Sequence, residues 1–265
     1  MTEVLRQHEA GSEIRRPEDV FRLLERDGHL VPADYRAWWL NYLGTHRQHF
    51  LELLARVQRS ARASDEVVDI GNFPGHFSVL LDQLGYRVVG VDLDPARAGS
   101  LWQKYGLKVL KADIEVDSLP LESGAADVVV LAEVLEHLRL NPLHALKECH
   151  RILRVGGRLI LSVPNVSPRH RIRFFLGRDY QGDIVHEFES LESLGHMGHY
   201  RLLSHREVAA VLGYAKFSVR EMRVAGWLPG GRWTFVKFFG PMRNTFRSHL
   251  YVVAEKTAGE SSLVS

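Results

Sequence analysis

The chain has 265 residues, 45% of them hydrophobic, and carries 34 Lys and Arg against 32 Asp and Glu. Such a length can bury a substantial core in one large domain, and a net charge of +2 provides no global field for recruiting nucleic acid. The single cysteine, Cys149, excludes an internal disulfide framework. Residues 1–16 lack the apolar core of a secretion signal, and no run reaches the roughly 18 apolar residues of a membrane span. We therefore expect a soluble, cytoplasmic protein.

Residues 1–64 are predicted to form an N-terminal helical cap. Proline followed by two acids at positions 17–19 is typical of a helix start, because proline suits the first turn and acids complement the helix dipole. A second helix is predicted over residues 33–60. Its apolar face includes Trp38, Trp39, Tyr42, Phe50, Leu53, Leu54 and Val57. We interpret this face chiefly as a surface that packs against a sheet.

Short apolar runs then alternate with helical segments, which predicts a parallel sheet with helices on both faces. Strands are expected near residues 66–70, 87–91, 107–110, 126–132 and 158–163. They are rich in valine, leucine and isoleucine, a composition typical of strands buried on both sides.

The C-terminal part is predicted to complete the same domain, which we place at residues 65–257. Ser204 and Glu207 have capping-box spacing at the start of a helix over 204–212. Residues 217–224 and 248–255 alternate apolar with polar side chains, as a hairpin would. Insertions at about 168–200 and 227–246 are expected to line an acceptor site, and residues 258–265 to form a flexible tail.

The turn after the first strand predicts a nucleoside pocket. Gly71 and Gly75 would let a ligand approach the backbone closely, and Asp92 ends the second strand, where a carboxylate can accept hydrogen bonds from a ribose. The spacing Gly-x-x-x-Gly, with Phe73 between, is a poor pyrophosphate cradle compared with Gly-x-Gly-x-x-Gly. An adenosine cofactor without phosphates therefore fits best.

At this point the chain resembles the class I (Rossmann-like) S-adenosylmethionine-dependent methyltransferases. The resemblance covers five motifs in the expected order, at residues 69–75, 90–95, 111–114, 126–137 and 153–165. It implies an α/β fold with a doubly wound, seven-stranded, mostly parallel sheet whose last strand is antiparallel. The implied cofactor is S-adenosyl-L-methionine. The residues that the resemblance assigns to it are Asp69, Gly71, Gly75, Asp92, Leu93, Asp113, Ile114, Ala132 and Glu133. Phe73 departs from the family pattern, which usually has glycine there.

Two histidines are candidate catalytic bases, because methylation of a hydroxyl requires a group that takes its proton. His137 follows the fourth predicted strand, one turn past Glu133 on a predicted helix, and His199 precedes the last helix. An alternative is a metal site. Its ligands would be Glu133, Glu136, His137 and His199, which resemble the Mg²⁺ set of the RNA 3′-terminal 2′-O-methyltransferases. The other histidines are expected on the surface.

The predicted function is methyl transfer to an oxygen, or less readily a nitrogen, of a small molecule, sugar or lipid-linked precursor. No nucleic-acid partner is expected, although a metal-dependent RNA 2′-O-methyltransferase stays an alternative. A nicotinamide (NAD) oxidoreductase and a non-catalytic binding protein are the other two. The basic aromatic run at 169–178 is interpreted as an amphipathic helix, an anion-binding segment or a peripheral membrane contact. Binding of RNA backbone by this run is a further alternative, which the near-neutral net charge disfavours. The oligomeric state stays open.

Overall fold

The computed structural model describes residues 16–166, 201–225 and 248–258, together with separate residues between 170 and 192. Within these residues the chain forms one seven-stranded sheet in the order β3-β2-β1-β4-β5-β7-β6. The strands are β1 (Glu66–Ile70), β2 (Arg87–Asp92), β3 (Lys108–Lys111), β4 (Ala126–Ala132), β5 (Leu153–Pro164), β6 (Phe217–Ala225) and β7 (His249–Lys256). Strands β1 to β5 are parallel, whereas β7 is antiparallel to both β5 and β6. The predicted doubly wound α/β fold is confirmed.

Helices accompany the sheet in the order that the sequence predicts. The described helices are α1 (Pro17–Asp27), α2 (Ala33–Ser60), α3 (His76–Gln83), α4 (Gly99–Tyr105), α5 (Pro142–Ile152) and α6 (His205–Tyr214). Helix α6 begins with a full capping box, because the Ser204 side chain accepts from the Glu207 amide and the Glu207 carboxylate accepts from the Ser204 amide. No helix in the described ranges combines the length and apolar character needed to cross a bilayer.

Most of the apolar face of the 28-residue helix α2 packs against the core, as predicted, whereas Trp38 of the predicted face is 44% exposed. Trp39, Leu43 and Val57 are fully buried in one hydrophobic cluster with residues of α1, α3 and the sheet. A second cluster lies around β4, β5, α5 and α6. The two clusters fit a sheet with apolar packing on both faces, which holds the strand ends in fixed positions.

Three sequence predictions differ from the structure. Strand β3 is an edge strand with partly exposed residues, so it is not buried on both sides. Strand β5 begins at Leu153, five residues before the predicted start, because it pairs with Ala126 before a register shift. The residues after β4 form only a short 3₁₀ turn, Leu135–His137, and no α-helix begins there. Glu133 has φ = 54° and Leu138 is extended, so the backbone on both sides of the turn is not helical.

Several predictions lie outside the described residues. They are the catalytic role of His199, nearly all of the two insertions at 168–200 and 227–246, the interpretation of the run at 169–178, and the tail at 258–265 apart from its first residue. The domain boundaries likewise stay a prediction.

Candidate functional site

The loop between β1 and α3 depends on its two glycines. Gly71 and Gly75 have φ values of 68° and 94°, in the left-handed region that side chains disfavour. A Cβ atom on Gly71 would lie 2.5 Å from Val134 Cγ2, and one on Gly75 would lie 2.6 Å from the Trp102 ring. The loop therefore packs directly against the residue that follows Glu133, so the glycine turn and the end of β4 form one site.

Helix α2 holds the non-glycine part of this loop. The Phe73 ring stacks on Trp38 with a centroid distance of 5.8 Å and an interplanar angle of 4°, and it meets Tyr35 edge-on. The buried indole N–H of Trp39 donates to the Pro74 carbonyl at 2.9 Å. Phe73, at a position where the family usually has glycine, thus connects the loop to the N-terminal helical cap.

Asp92 binds the same loop from the end of β2. One carboxylate oxygen accepts from the Phe73 amide at 3.2 Å, and the other accepts from the Asp94 amide and the Arg97 guanidinium, both at 2.8 Å. The Arg97 guanidinium also lies 4.3 Å from the centre of the Phe73 ring. A carboxylate has about four acceptor positions, so this one can still accept from a sugar hydroxyl at the loop.

Asp69 lies inside the site and does not face solvent. The Ser78 hydroxyl donates to its carboxylate at 2.6 Å, which ties β1 to α3. Full burial raises the pKa of Asp69 to about 7; the Ser78 hydrogen bond opposes this rise and the Asp92 carboxylate adds to it. Its role in the structure is to fix the start of α3 behind the glycine loop.

Asp113 and Ile114 follow β3 at the same edge of the sheet. The Asp113 carboxylate accepts from the Glu115 amide at 2.9 Å, and its own amide donates to Asp117 at 2.8 Å. Ile114 is buried, while Leu93, just after β2, is 53% exposed. Because β3, β2, β1 and β4 are adjacent and parallel, the predicted cofactor residues at their carboxyl ends lie along one edge.

A cluster that the sequence did not predict lies at the end of β4. Glu133, His49 of α2 and His249 of β7 bring potential ligand atoms within 4.8 Å of one another. Glu133 Oε2 is 3.4 Å from His249 Nε2. Burial would raise the pKa of Glu133, but the His249 and His49 imidazoles lower it to about 2. Burial lowers the pKa of His49 to about 3, despite the Glu133 carboxylate.

Glu136 is fully buried beside this cluster. Burial first, and then the Glu133 carboxylate, raise the pKa of Glu136 well above its ordinary value. Both of its carboxyl oxygens, and Glu133 Oε1, are buried without a hydrogen-bond partner among the described residues. The site therefore contains two neighbouring buried carboxyl groups with unsatisfied oxygens.

The histidines are arranged differently from the sequence prediction. His137 is half-buried, with Nε2 4.0 Å from Glu136 Oε1. The expectation that the other histidines lie on the surface is wrong for His49, His76 and His249, which are 1%, 1% and 5% exposed. Within the described residues, Glu133, Glu136 and His137 form no three-residue group at ligand spacing. The fourth predicted ligand, His199, lies outside those residues.

Comparisons with known proteins identify a methyltransferase domain in the chain. Residues 68–161 match the family model described as "Methyltransferase domain". The ubiquinone biosynthesis O-methyltransferase of Pseudomonas aeruginosa is 28% identical over 164 residues, which cover 59% of this chain and 70% of that protein. A structure of 1,6-didemethyltoxoflavin-N1-methyltransferase from Burkholderia thailandensis, with bound 1,6-didemethyltoxoflavin and S-adenosylhomocysteine, has a TM-score of 0.55 at 19% identity, covering 94% of each chain.

The structure of an S-adenosylmethionine-dependent methyltransferase from Archaeoglobus fulgidus has a TM-score of 0.54 at 18% identity, and the match covers 83% of this chain and 99% of that one. At these identities the structural similarities establish the fold.

Proposed function

Because the chain belongs to the class I S-adenosylmethionine-dependent methyltransferases, we propose that it methylates an oxygen of a small-molecule, sugar or lipid-linked acceptor. The observation that carries this proposal is the junction of the glycine loop with the end of β4. Val134 packs against Gly71, so the buried polar group beginning at Glu133 lies next to the loop that would hold the cofactor.

The residues at the sheet edge fit S-adenosyl-L-methionine. The positive φ values of Gly71 and Gly75 let the loop pack closely against Val134 and Trp102, and Asp92 is held with its carboxylate beside the Phe73 amide. We assign Asp92 to the ribose hydroxyls, Asp113 and Ile114 to the adenine, and the loop, with Ala132 and Glu133, to the methionine part. The bound cofactor supplies an electrophilic methyl group on a sulfonium.

The chain must position the acceptor and remove a proton, since transfer to a hydroxyl oxygen forms an O–C bond, breaks an S–C bond and releases one proton. We propose His137 as the proton acceptor. Its half-buried ring can be reached from outside, and its Nε2 atom lies 4.0 Å from Glu136 Oε1, at the end of the buried polar group that begins at Glu133. His199 is the second candidate.

The acceptor class is supported by the similarity to ubiquinone biosynthesis O-methyltransferases and by a cavity beside β5. This cavity of about 350 Å³ is lined by Val166, Ser204, His205 and Arg206. An imidazole and a guanidinium at the start of α6 suit an acceptor that carries a polar or anionic group. A near-neutral net charge gives no comparable support for RNA.

The test is calorimetric titration with S-adenosylhomocysteine, using NADH as the competing ligand class. We expect saturable binding of S-adenosylhomocysteine and none of NADH. Asp92→Ala should weaken binding by about 1–3 kcal/mol, because a charged hydrogen-bond partner is removed.

Asp94→Ala is the matched control, since among the described residues the Asp94 side chain accepts from the Ala96 amide two residues away. Equal affinities for the Asp92 variant and the unaltered protein would contradict the assignment of the pocket. Release of S-adenosylhomocysteine in the presence of hydroxylated acceptors, and its loss in His137→Gln, would then identify the acceptor and test the base.

A further inference from the structure

The cluster at the end of β4 combines residues from three separate elements. His49 lies in the middle of α2, Glu133 follows β4, and His249 begins β7. Their potential ligand atoms all lie within 4.8 Å of one another. In the described parts of the chain, these three residues form the one group of His, Cys, Asp or Glu side chains with this spacing. The two imidazoles are nearly inaccessible, and the Glu133 side chain is 15% exposed. The fold therefore places two imidazoles and one carboxylate around a common point.

The spacing within the cluster also suits a shared cation. Charge-assisted N–H···O contacts are usually about 2.7–2.9 Å long, whereas Glu133 Oε2 and His249 Nε2 are 3.4 Å apart. Two ligand atoms at about 2.1 Å from a tetrahedral metal lie about 3.4 Å from each other. The observed separation is thus the one that two ligands of a metal adopt.

The buried carboxyl groups in and beside the cluster also need a cation or protons to offset their negative charge. Glu133 Oε1 and both Glu136 oxygens are buried and have no hydrogen-bond partner among the described residues. Burying a carboxylate without a partner is costly, and two adjacent ones repel each other. A divalent cation next to Glu133 would offset the charge of that carboxylate and provide a partner for its buried oxygen.

The other ring nitrogens have partners that suit metal-bound histidines. His49 Nδ1 is 2.8 Å from the Tyr251 hydroxyl, and His249 Nδ1 is 2.6 Å from the Ser248 hydroxyl. A histidine that binds a metal through Nε2 typically donates its Nδ1–H to such a partner, which fixes the orientation of the ring.

We propose that His49, Glu133 and His249 bind a divalent transition-metal cation such as Zn²⁺, Fe²⁺ or Mn²⁺. Two imidazoles and a carboxylate are the donor set that these ions accept, and three protein ligands leave a coordination position open. This set shares only Glu133 with the ligands predicted from the sequence. Glu133 precedes Val134, which packs against Gly71, so a cation held by Glu133 would lie at the end of β4 that meets the glycine loop and could bind the acceptor oxygen; this last step rests on the proposed methyl transfer.

The test is metal binding to untagged protein that has been dialysed against EDTA. Titration with Co²⁺ should give one bound ion per chain, with the visible absorption of a four- or five-coordinate site, and Zn²⁺ should displace it. Glu133→Gln and His249→Gln should each weaken Co²⁺ binding by at least about tenfold. His150→Gln is the control, because His150 is a partly buried histidine whose ring packs on Phe217, away from the cluster.

Circular dichroism of each variant shows whether it is folded, and binding is compared only among folded proteins. Failure of the unaltered protein to retain one Co²⁺ per chain, or unchanged Co²⁺ affinity in both folded cluster variants, would overturn the inference. S-adenosylhomocysteine binding is measured on the same EDTA-treated samples. If the unaltered protein takes up Co²⁺ but does not bind S-adenosylhomocysteine, the proposed function is overturned and the metal site is supported. If it binds S-adenosylhomocysteine but takes up no Co²⁺, the metal site is overturned and the proposed function is supported.

Discussion

Replacing Asp69 by asparagine should change how the stability of the protein depends on pH. The Asp69 carboxyl is fully buried behind the glycine loop, and this burial raises its pKa from the ordinary value of 3.8 to about 7. Such a group binds its proton more tightly in the folded state. It therefore stabilises the fold below pH 3.8, and this contribution is lost as the pH rises through about 7.

The size of the effect follows from the two pKa values. A rise from 3.8 to about 7 corresponds to about 4 kcal/mol, and about 2.5 kcal/mol of this is lost between pH 5 and pH 8.5. Asparagine has nearly the same shape and does not titrate, so Asp69→Asn should lack this loss. Urea unfolding at pH 5, 6, 7 and 8.5 measures the difference in unfolding free energy between the two proteins.

Asp127→Asn provides a control of opposite sign. Partial burial opposes the shift, but hydrogen bonds from Arg154 and from the Glu66 amide lower the pKa of Asp127. Its stabilising contribution is present above its ordinary pKa and is lost only as the pH falls, so its effect should be constant from pH 5 to pH 8.5. Parallel stability curves for the unaltered protein and Asp69→Asn over this range would refute the reasoning.

Three further substitutions test the glycine loop, the capping box of α6 and the hydrogen bond from Trp39 to the loop. Gly75→Ala should lower the unfolding free energy by about 2 kcal/mol or more beyond the loss in Gly85→Ala, as measured by thermal unfolding of both variants. Both glycines have φ above 90°, but a Cβ on Gly75 would lie 2.6 Å from the Trp102 ring, whereas a Cβ on Gly85 would meet no atom within 4 Å. Ser204→Ala should cost about 1 kcal/mol through the lost capping box, and an unchanged melting temperature would contradict this. Trp39→Phe removes the indole donor of the loop hydrogen bond and should cost about 1–3 kcal/mol in urea unfolding; an equal cost in Trp38→Phe would argue against that bond.

Local patterns predicted most of the fold, because each depends on neighbouring residues. The limits of α2 follow from apolar periodicity, those of β1 and β4 from short apolar runs, and the start of α6 from capping-box spacing. The exposure of β3 was not predictable in this way, because it depends on which strand lies at the edge of the assembled sheet.

The candidate site was predictable only where its residues belong to sequential motifs. Asp92 and the glycines lie at strand ends in chain order, so spacing alone brings them to one edge. The cluster of His49, Glu133 and His249 joins residues up to 200 positions apart and depends on tertiary packing. The signal that could have indicated it is modest: a histidine on the predicted buried face of α2 and another at the start of the last strand.

Helix α2 connects the glycine loop to the last strand of the sheet. Trp39 holds the Pro74 carbonyl, and ten residues later, about 15 Å along the helix axis, His49 meets Tyr251 of the last strand. A shortened protein that begins at β1 would lose both attachments together. The N-terminal helices are therefore a structural part of the methyltransferase domain, and removing them should loosen the glycine loop and the β7 end of the sheet in a single step.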